Sequence, residues 1–183
     1  MLGDGTYIGG TGIDTILMEE MQALKAAIIS NIRSTGQWAS GATAESMQVT
    51  VEGNTAVLYG RKAFGTLETG RKGTKDDPSV KVPYNFIDII YRWMQAKGVH
   101  ADPMPYKRAG HHKYPSAQMR GDMYMAGDIS HTIATQGTRL YRNGGRADVY
   151  SQEIPAAVRR INERLGRIFQ ASIEESIKLN IKE

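Results

Sequence analysis

Two kinds of hydrophobic repeat occur in this sequence, and their order limits the folds that the chain can form. Residues 13–32 and 154–173 place apolar side chains at intervals of three and four, which is typical of a helix with one buried stripe. Between them, residues 47–59 alternate apolar with polar side chains, and this predicts a β-hairpin that turns at Gly53 and Asn54. We therefore expect an α+β fold, in which an N-terminal helix, a central helix and a long C-terminal helix pack a small antiparallel sheet, with long loops.

The length of the chain bounds the number of domains. A chain of 183 residues can bury the core of one ordinary domain without disulfides or metals. Residues 1–12 contain five glycines and few apolar side chains, which predicts a flexible arm. We therefore divide the chain into this arm and a single α+β domain at residues 13–183, with an inserted loop at residues 104–125.

Four local patterns extend this outline. A short third strand is expected at Ala63–Leu67. The central helix follows Pro83 and ends at Gly98, because a glycine after the last turn is a common helix stop. A short helix is expected at Asp128–Gln136. Alternating apolar residues at 177–181 predict a strand that closes the sheet.

The composition excludes several classes of protein. The chain has no cysteine, which rules out disulfides and thiolate metal sites and fits a reducing compartment. No apolar run approaches the roughly 20 residues of a membrane span, and the N-terminus lacks the features of a signal peptide. The net charge of +4 permits contact with phosphates without requiring it. We expect a protein without a membrane segment that is made inside a cell.

The segment from Tyr59 to Thr74 has the composition of a docking surface. It holds four glycines, two Arg-Lys pairs and a single carboxylate. We expect its basic side chains to face an acidic surface and its carboxylate to pair locally. Gly70→Val is expected to block assembly while the monomer stays folded, because glycine permits backbone shapes that other residues do not. The candidate contact residues in this segment are Arg61, Lys62, Phe64, Glu68, Arg71 and Lys72.

No catalytic or cofactor-binding residues are predicted. Residues 65–72 approach a phosphate-binding loop, but Arg71 stands where that motif needs its lysine, and no helix is expected to follow. His111 and His112 are adjacent rather than spaced to converge on a metal. No serine has a His and an Asp in a convincing arrangement. We therefore expect no enzyme activity, no cofactor and no metal.

A basic, tyrosine-containing segment at residues 107–120 has two interpretations. Its Lys and Arg side chains, interleaved with Tyr, would suit a nucleic-acid backbone, and its Tyr, Met and Arg would also suit a protein interface. The small net charge favours the interface. We expect the inserted segment Met104–Met125 to be mobile in isolation and to become ordered against a neighbouring protein. Its candidate contact residues are Tyr106, Lys107, Arg108, Tyr114 and Arg120.

The order of these elements resembles the tail-completion and neck proteins of tailed bacteriophages. In that family an aromatic residue and an acid-Gly-Thr-like turn follow the hairpin. The fragments W-x-x-x-K-G at Trp93–Gly98 and I-x-x-x-G-T at Ile133–Thr138 are also similar to the phage pattern. The residues that match the turn are Tyr59, Phe64, Glu68, Thr69 and Gly70. The inserted segment Met104–Met125 departs from the family pattern.

The resemblance implies a structural role and a set of partners. It implies a virion protein, assembled in the host cytoplasm, that forms a homo-oligomeric ring in the neck or tail and joins the portal or connector to the tail. Other neck and tail proteins would be its partners, and the basic segment would meet genomic DNA if it lined a central channel. The alternative is an accessory protein that binds nucleic acid through residues 107–120.

Overall fold

The computed structural model describes residues 11–74, 81–105 and 116–180. These residues form an α+β structure with a two-stranded antiparallel sheet and a long C-terminal helix, as the sequence predicts. Along the chain the elements are α1 (Thr11–Ser34), α2 (Ala42–Glu45), β1 (Gln48–Glu52), β2 (Thr55–Tyr59), a 3-10 helix (Lys62–Gly65), α3 (Thr66–Thr69), α4 (Tyr84–Lys97), α5 (Ala117–Gln136), α6 (Arg139–Arg142) and α7 (Glu153–Asn180).

Contacts among these residues group the chain into two compact units. The first unit consists of the described residues within the ranges 1–36, 43–64 and 147–183. The second consists of those within 37–42 and 65–146. The first unit therefore contains α1, both strands and α7. The second contains α3, α4, α5 and α6.

Helix α1 is the central element of the first unit, because it packs against α7 and against both strands. Its apolar residues recur at intervals of three and four, so they form one stripe that faces these partners. Full burial of a side chain of this size contributes about 1.5–3 kcal/mol, which makes this stripe a main source of stability. The buried residues of the stripe are Ile16, Leu17, Leu24, Ile28 and Ile32.

Polar contacts fix α1 and α7 in antiparallel orientation. Glu20 accepts hydrogen bonds from Nε of Arg160 at 2.7 Å and from Nη1 of Arg164 at 3.0 Å. Near the other end of α1, Nδ2 of Asn31 donates to Glu153 at 3.0 Å. The Arg160 and Arg164 hydrogen bonds hold the pKa of Glu20 below its ordinary value, although burial acts in the opposite direction.

The hairpin forms where the alternating pattern predicts it. Its strands pair from Gln48 with Tyr59 to Glu52 with Thr55. Gly53 and Asn54 have φ angles of 40° and 54°, and a two-residue turn with both φ angles positive matches the twist of the two strands.

The core of the second unit lies between α4 and α5. Ile90, Met94 and Ala126 are buried at its centre, and partly buried apolar residues from both helices surround them. Helix α4 ends at Gly98, as predicted, with a φ of 65° that a glycine adopts without strain.

Asp122 of α5 is a buried carboxylate that fixes the chain between α4 and α5. Its Oδ1 accepts hydrogen bonds from the backbone N of Ala101 at 2.8 Å and from Nε2 of Gln118 at 2.9 Å. Its Oδ2 accepts one from Nε2 of Gln95 at 3.1 Å and lies 3.0 Å from Nδ1 of His100. Burial alone would raise the pKa of Asp122, but these hydrogen bonds, with that of His100 the largest, lower it to about 2.

The helix expected at Asp128–Gln136 is longer than predicted, so the expected inserted loop 104–125 is wrong over its helical part. Helix α5 begins at Ala117, where Ser116 accepts a hydrogen bond from the backbone N of Met119. In the structure a Cβ on Gly121 would lie 2.1 Å from the carbonyl oxygen of Asp102, so this glycine permits a close crossing of two chain segments.

Two predicted strands are also helical, and the first helix starts earlier than expected. Residues 63–67 form parts of the 3-10 helix and α3. Residues 177–180 continue α7, because the four-residue spacing of apolar side chains up to Ile177 favours a helix over a short alternating run. Helix α1 includes Thr11 and Gly12, which were assigned to the arm; residues 1–10 and 181 lie outside the described residues.

We expect the second unit to lose stability when the pH falls from about 4 to about 2. The pKa of Asp122 is about 2 in the folded protein and ordinarily 3.8, so the unfolded chain takes up this proton more readily. This stabilisation amounts to about 2 kcal/mol. It is fully present when the pH is above 3.8, the ordinary pKa, and it is lost as the pH falls through about 2, the pKa in the folded protein. Tryptophan fluorescence during urea unfolding measures it, because Trp38 and Trp93 both belong to the second unit.

Asp122→Asn should remove this acid-dependent loss and lower the free energy of unfolding near neutral pH by about 1–3 kcal/mol, because an amide cannot accept from every donor around it. The matched control is Asp128→Asn on the exposed side of the same helix, which should behave like the wild type. An Asp122→Asn variant with the wild-type acid dependence would contradict the role of this carboxylate.

Candidate functional site

The glycine-rich segment at residues 59–74 contains a tightly packed feature that the sequence does not reveal. After the 3-10 helix and α3, residues 70–74 run beside the segment that holds the end of α5, α6 and the Gly144-Gly145 turn. We call residues 68–74 and 134–146 together the glycine clasp. All of these residues belong to the second unit.

Hydrogen bonds hold the two halves of the glycine clasp together. The backbone N of Thr138 donates to the carbonyl oxygen of Arg71 at 2.8 Å, and the backbone N of Arg71 donates to Oγ1 of Thr138 at 2.9 Å. The backbone N of Arg146 donates to the carbonyl oxygen of Glu68 at 2.9 Å. These bonds join segments that are distant in sequence, since Arg71 and Thr138 are 67 residues apart.

Glycines allow the two halves to approach this closely. A Cβ on Gly70 would lie 2.4 Å from the backbone N of Tyr141, and a Cβ on Gly73 would lie 2.4 Å from the carbonyl oxygen of Thr135. A Cβ on Gly137 would lie 2.7 Å from the carbonyl oxygen of Arg71. The φ of Gly70 is also positive, at 69°, a conformation that side chains disfavour.

This geometry changes what a substitution at Gly70 would do. The expectation that Gly70→Val leaves the monomer folded is wrong, because the new side chain would collide with the backbone of the same unit. The glycine is required by the fold of the second unit itself. Its role in any contact with a partner would be indirect.

The first three candidate contact residues lie in the first unit. Arg61 and Lys62 are exposed. Phe64 is half-buried and stacks on Tyr150, with the ring centroids 5.0 Å apart. Arg61 and Lys62 are thus available to a partner, while Phe64 has a packing role.

The next three candidates lie in the second unit, within the glycine clasp. Glu68 is buried, with 3% of its surface exposed, so its side chain is enclosed by its own unit. Arg71 and Lys72 are exposed. The guanidinium carbon of Arg71 lies 4.2 Å from the centroid of the Phe86 ring, and this cation–π contact orients the arginine.

The remaining candidates belong to the basic segment at residues 107–120. Arg120 lies in α5, half-buried, and its Nε donates to the carbonyl oxygen of Met104 at 2.7 Å. It therefore ties α5 to the chain that precedes it. The other candidates lie outside the described residues, together with His111 and His112; they are Tyr106, Lys107, Arg108 and Tyr114.

Helix α7 carries an exposed apolar row, whereas the sequence predicts Phe169 and Ile173 on a buried stripe and Ile177 in a closing strand. Phe169, Ile173 and Ile177 are 53%, 59% and 53% exposed. A Cβ on Gly12, at the start of α1, would lie 3.8 Å from Cδ1 of Ile168, so the rest of α7 extends past the first described turn of α1. The signal available in the sequence was the length of the stripe, which continues further along α7 than α1 can cover.

A second exposed apolar pair lies on α4, in the other unit. Ile89 and Trp93 are 59% and 42% exposed, and they are four residues apart, so they are neighbours on one helix face. In the structure the buried side consists of Ile90 and Met94.

Within residues 11–74, 81–105 and 116–180, no group of three or more His, Asp or Glu side chains is arranged to hold a metal ion. Within the same ranges, no helix combines the length and the apolar character that crossing a bilayer requires.

Comparisons with protein-family models, curated proteins and solved structures find no match.

We expect Gly70→Ala to destabilise the second unit by about 2–4 kcal/mol, because the methyl group meets the Tyr141 backbone and the positive φ is strained. Tryptophan fluorescence during urea unfolding measures this loss.

The matched control is Gly65→Ala. A Cβ there meets no heavy atom within 4 Å, and φ is −59°, so the change should stay within about 1 kcal/mol. Equal stabilities of the two variants would contradict the close packing of the glycine clasp.

Proposed function

We propose that this chain is a structural subunit that assembles into a ring in the neck or tail of a tailed bacteriophage, where protein–protein contacts join the portal or connector to the tail. The observation that carries the proposal is the apolar row that α7 leaves exposed. Contiguous exposed apolar surface is unusual for a monomeric protein and commonly marks a site of protein contact.

The row on α7 has the geometry of a helix that packs on a partner. Phe169, Ile173 and Ile177 follow one another at intervals of four, so they occupy adjacent turns of one helix face. About half of each side chain is exposed. Transfer of the exposed half of each into a contact would contribute about 1 kcal/mol per side chain, before the matching surface of the partner is counted.

The apolar pair on α4 supports a head-to-tail arrangement. Ile89 and Trp93 belong to the second unit, and the α7 row belongs to the first. One subunit therefore has two different apolar surfaces. When a surface of one subunit meets a different surface of the next, the contact is heterologous, and repeated contacts of this type form a ring if the rotation closes.

The sequence resemblance to tail-completion and neck proteins supports the biological setting. The α+β fold with its long C-terminal helix agrees with what that resemblance implies. The two fragments quoted for it fall at helix ends, since Trp93–Gly98 closes α4 and Ile133–Thr138 closes α5. These fragments therefore have clear structural roles in this chain.

We expect Ile173→Glu to abolish self-assembly while leaving the subunit folded. A carboxylate in the centre of the α7 row would have to lose water in any contact that buries this row, and position 173 is exposed in the subunit itself. Mass photometry and negative-stain electron microscopy of the purified protein measure the oligomer. Circular dichroism checks the fold.

The matched control is Ala171→Glu, which adds the same charge to the same helix. Ala171 is exposed and lies about 160° around the helix from both Phe169 and Ile173, at 3.6 residues per turn. This variant should assemble like the wild type. Rings formed equally well by both variants would rule out the α7 row as the subunit contact, and a wild-type protein that stays monomeric at all concentrations would overturn ring formation itself.

A further inference from the structure

The glycine clasp brings basic residues together from distant parts of the sequence. Thr138 pairs with Arg71 through two hydrogen bonds, so the backbone of the next residue, Arg139, lies near the backbone of Arg71 and Lys72. The short helix α6 adds a third arginine at its end. We call these four exposed residues the basic patch, and its members are Arg71, Lys72, Arg139 and Arg142.

Two of the guanidinium groups are held in place by their own unit. Nη1 of Arg142 donates to the carbonyl oxygen of Gly137 at 2.7 Å. A Cβ on Gly137 would lie 2.7 Å from the carbonyl oxygen of Arg71, so the Arg142 head group is fixed next to the other half of the glycine clasp. The stacking of Arg71 on Phe86 fixes the second group. The patch is therefore partly preorganised.

The positive charge of the patch is not balanced by salt bridges. Among the residues that the structure describes, no carboxylate lies within salt-bridge distance of any member of the patch. The carboxylate within the glycine clasp, Glu68, is buried. A cluster of like charges on one surface concentrates positive potential and favours a polyanionic partner.

We propose that the basic patch binds the phosphate backbone of double-stranded DNA without sequence preference. Backbone binding needs cations at the surface, and arginine also forms paired hydrogen bonds with phosphate. A protein contact usually has a larger apolar centre, whereas within the described residues of the glycine clasp Tyr141 is the one large apolar side chain that is exposed. Helix α6 has a single turn, which is too short to enter a groove and read bases as recognition helices do.

The test measures binding of short fluorescein-labelled DNA duplexes of two unrelated sequences by fluorescence anisotropy, between about 50 and 200 mM salt. The patch variant is Lys72→Gln with Arg139→Gln, because neither side chain forms a hydrogen bond within the part of the chain that the structure describes. The matched control is Arg167→Gln with Lys178→Gln on the exposed polar side of α7, which removes the same net charge. Both variants are checked for folding by circular dichroism and for assembly by mass photometry.

The wild type and the control are expected to bind both duplexes equally, with affinity that falls steeply with salt. The patch variant should bind about tenfold more weakly or worse, and its slope of log affinity against log salt should be shallower by about 2, one for each lost phosphate contact. Its assembly should be unchanged. Binding therefore tests the patch separately from the proposed ring.

Three results would overturn the inference. Equal losses in the patch variant and the control would show an effect of net charge alone. Loss of binding in a Lys107→Gln, Arg108→Gln variant with none in the patch variant would place the contact elsewhere. Competition by poly-L-glutamate as strong as that of unlabelled duplex, at equal charge concentration, would identify a general acidic-protein site.

Discussion

The close approach of residues 70–74 to the end of α5 and to α6 is the contact on which the second unit depends. It joins Arg71 and Thr138, which are 67 residues apart in sequence, and at Gly70, Gly73 and Gly137 a Cβ would collide with the facing backbone. The sequence shows only a basic segment rich in glycine. Its glycines serve an internal contact, and that contact in turn decides which basic side chains share a surface.

Much of the fold follows from periodicity, and the errors have a common physical cause. The stripe of α1, the turn at Gly53 and the end of α4 at Gly98 are local features, so a short window of sequence is enough to predict them. The sequence predicts a loop over residues 104–125, whereas α5 begins at Ala117 and its Gly121 permits a close crossing with Asp102. A contact between segments distant in sequence cannot be read from either segment alone.

Only part of the candidate site could be predicted from the sequence, because the rest depends on contacts between segments that are distant in sequence. The exposed basic residues Arg61, Lys62, Arg71 and Lys72 could be found from composition, since charged side chains usually remain in water. The burial of Glu68 and the pairing of Arg71 with Thr138 depend on tertiary structure. The apolar row on α7 was read as core because periodicity identifies the apolar face of a helix, but does not say how far a partner covers it.

The length of α7 leaves one part of the helix packed against α1 and another part with its apolar row exposed. Between Glu153 and Ile168 the helix packs against α1 and is joined to it by hydrogen bonds of Glu153, Arg160 and Arg164. The remaining part, residues 169–180, extends for roughly 18 Å at 1.5 Å per residue with its apolar row exposed. Under the proposed ring contact, substitutions in this part would change the surface offered to a neighbour while the buried residues of the first unit stay the same, so the contact could evolve faster than the fold.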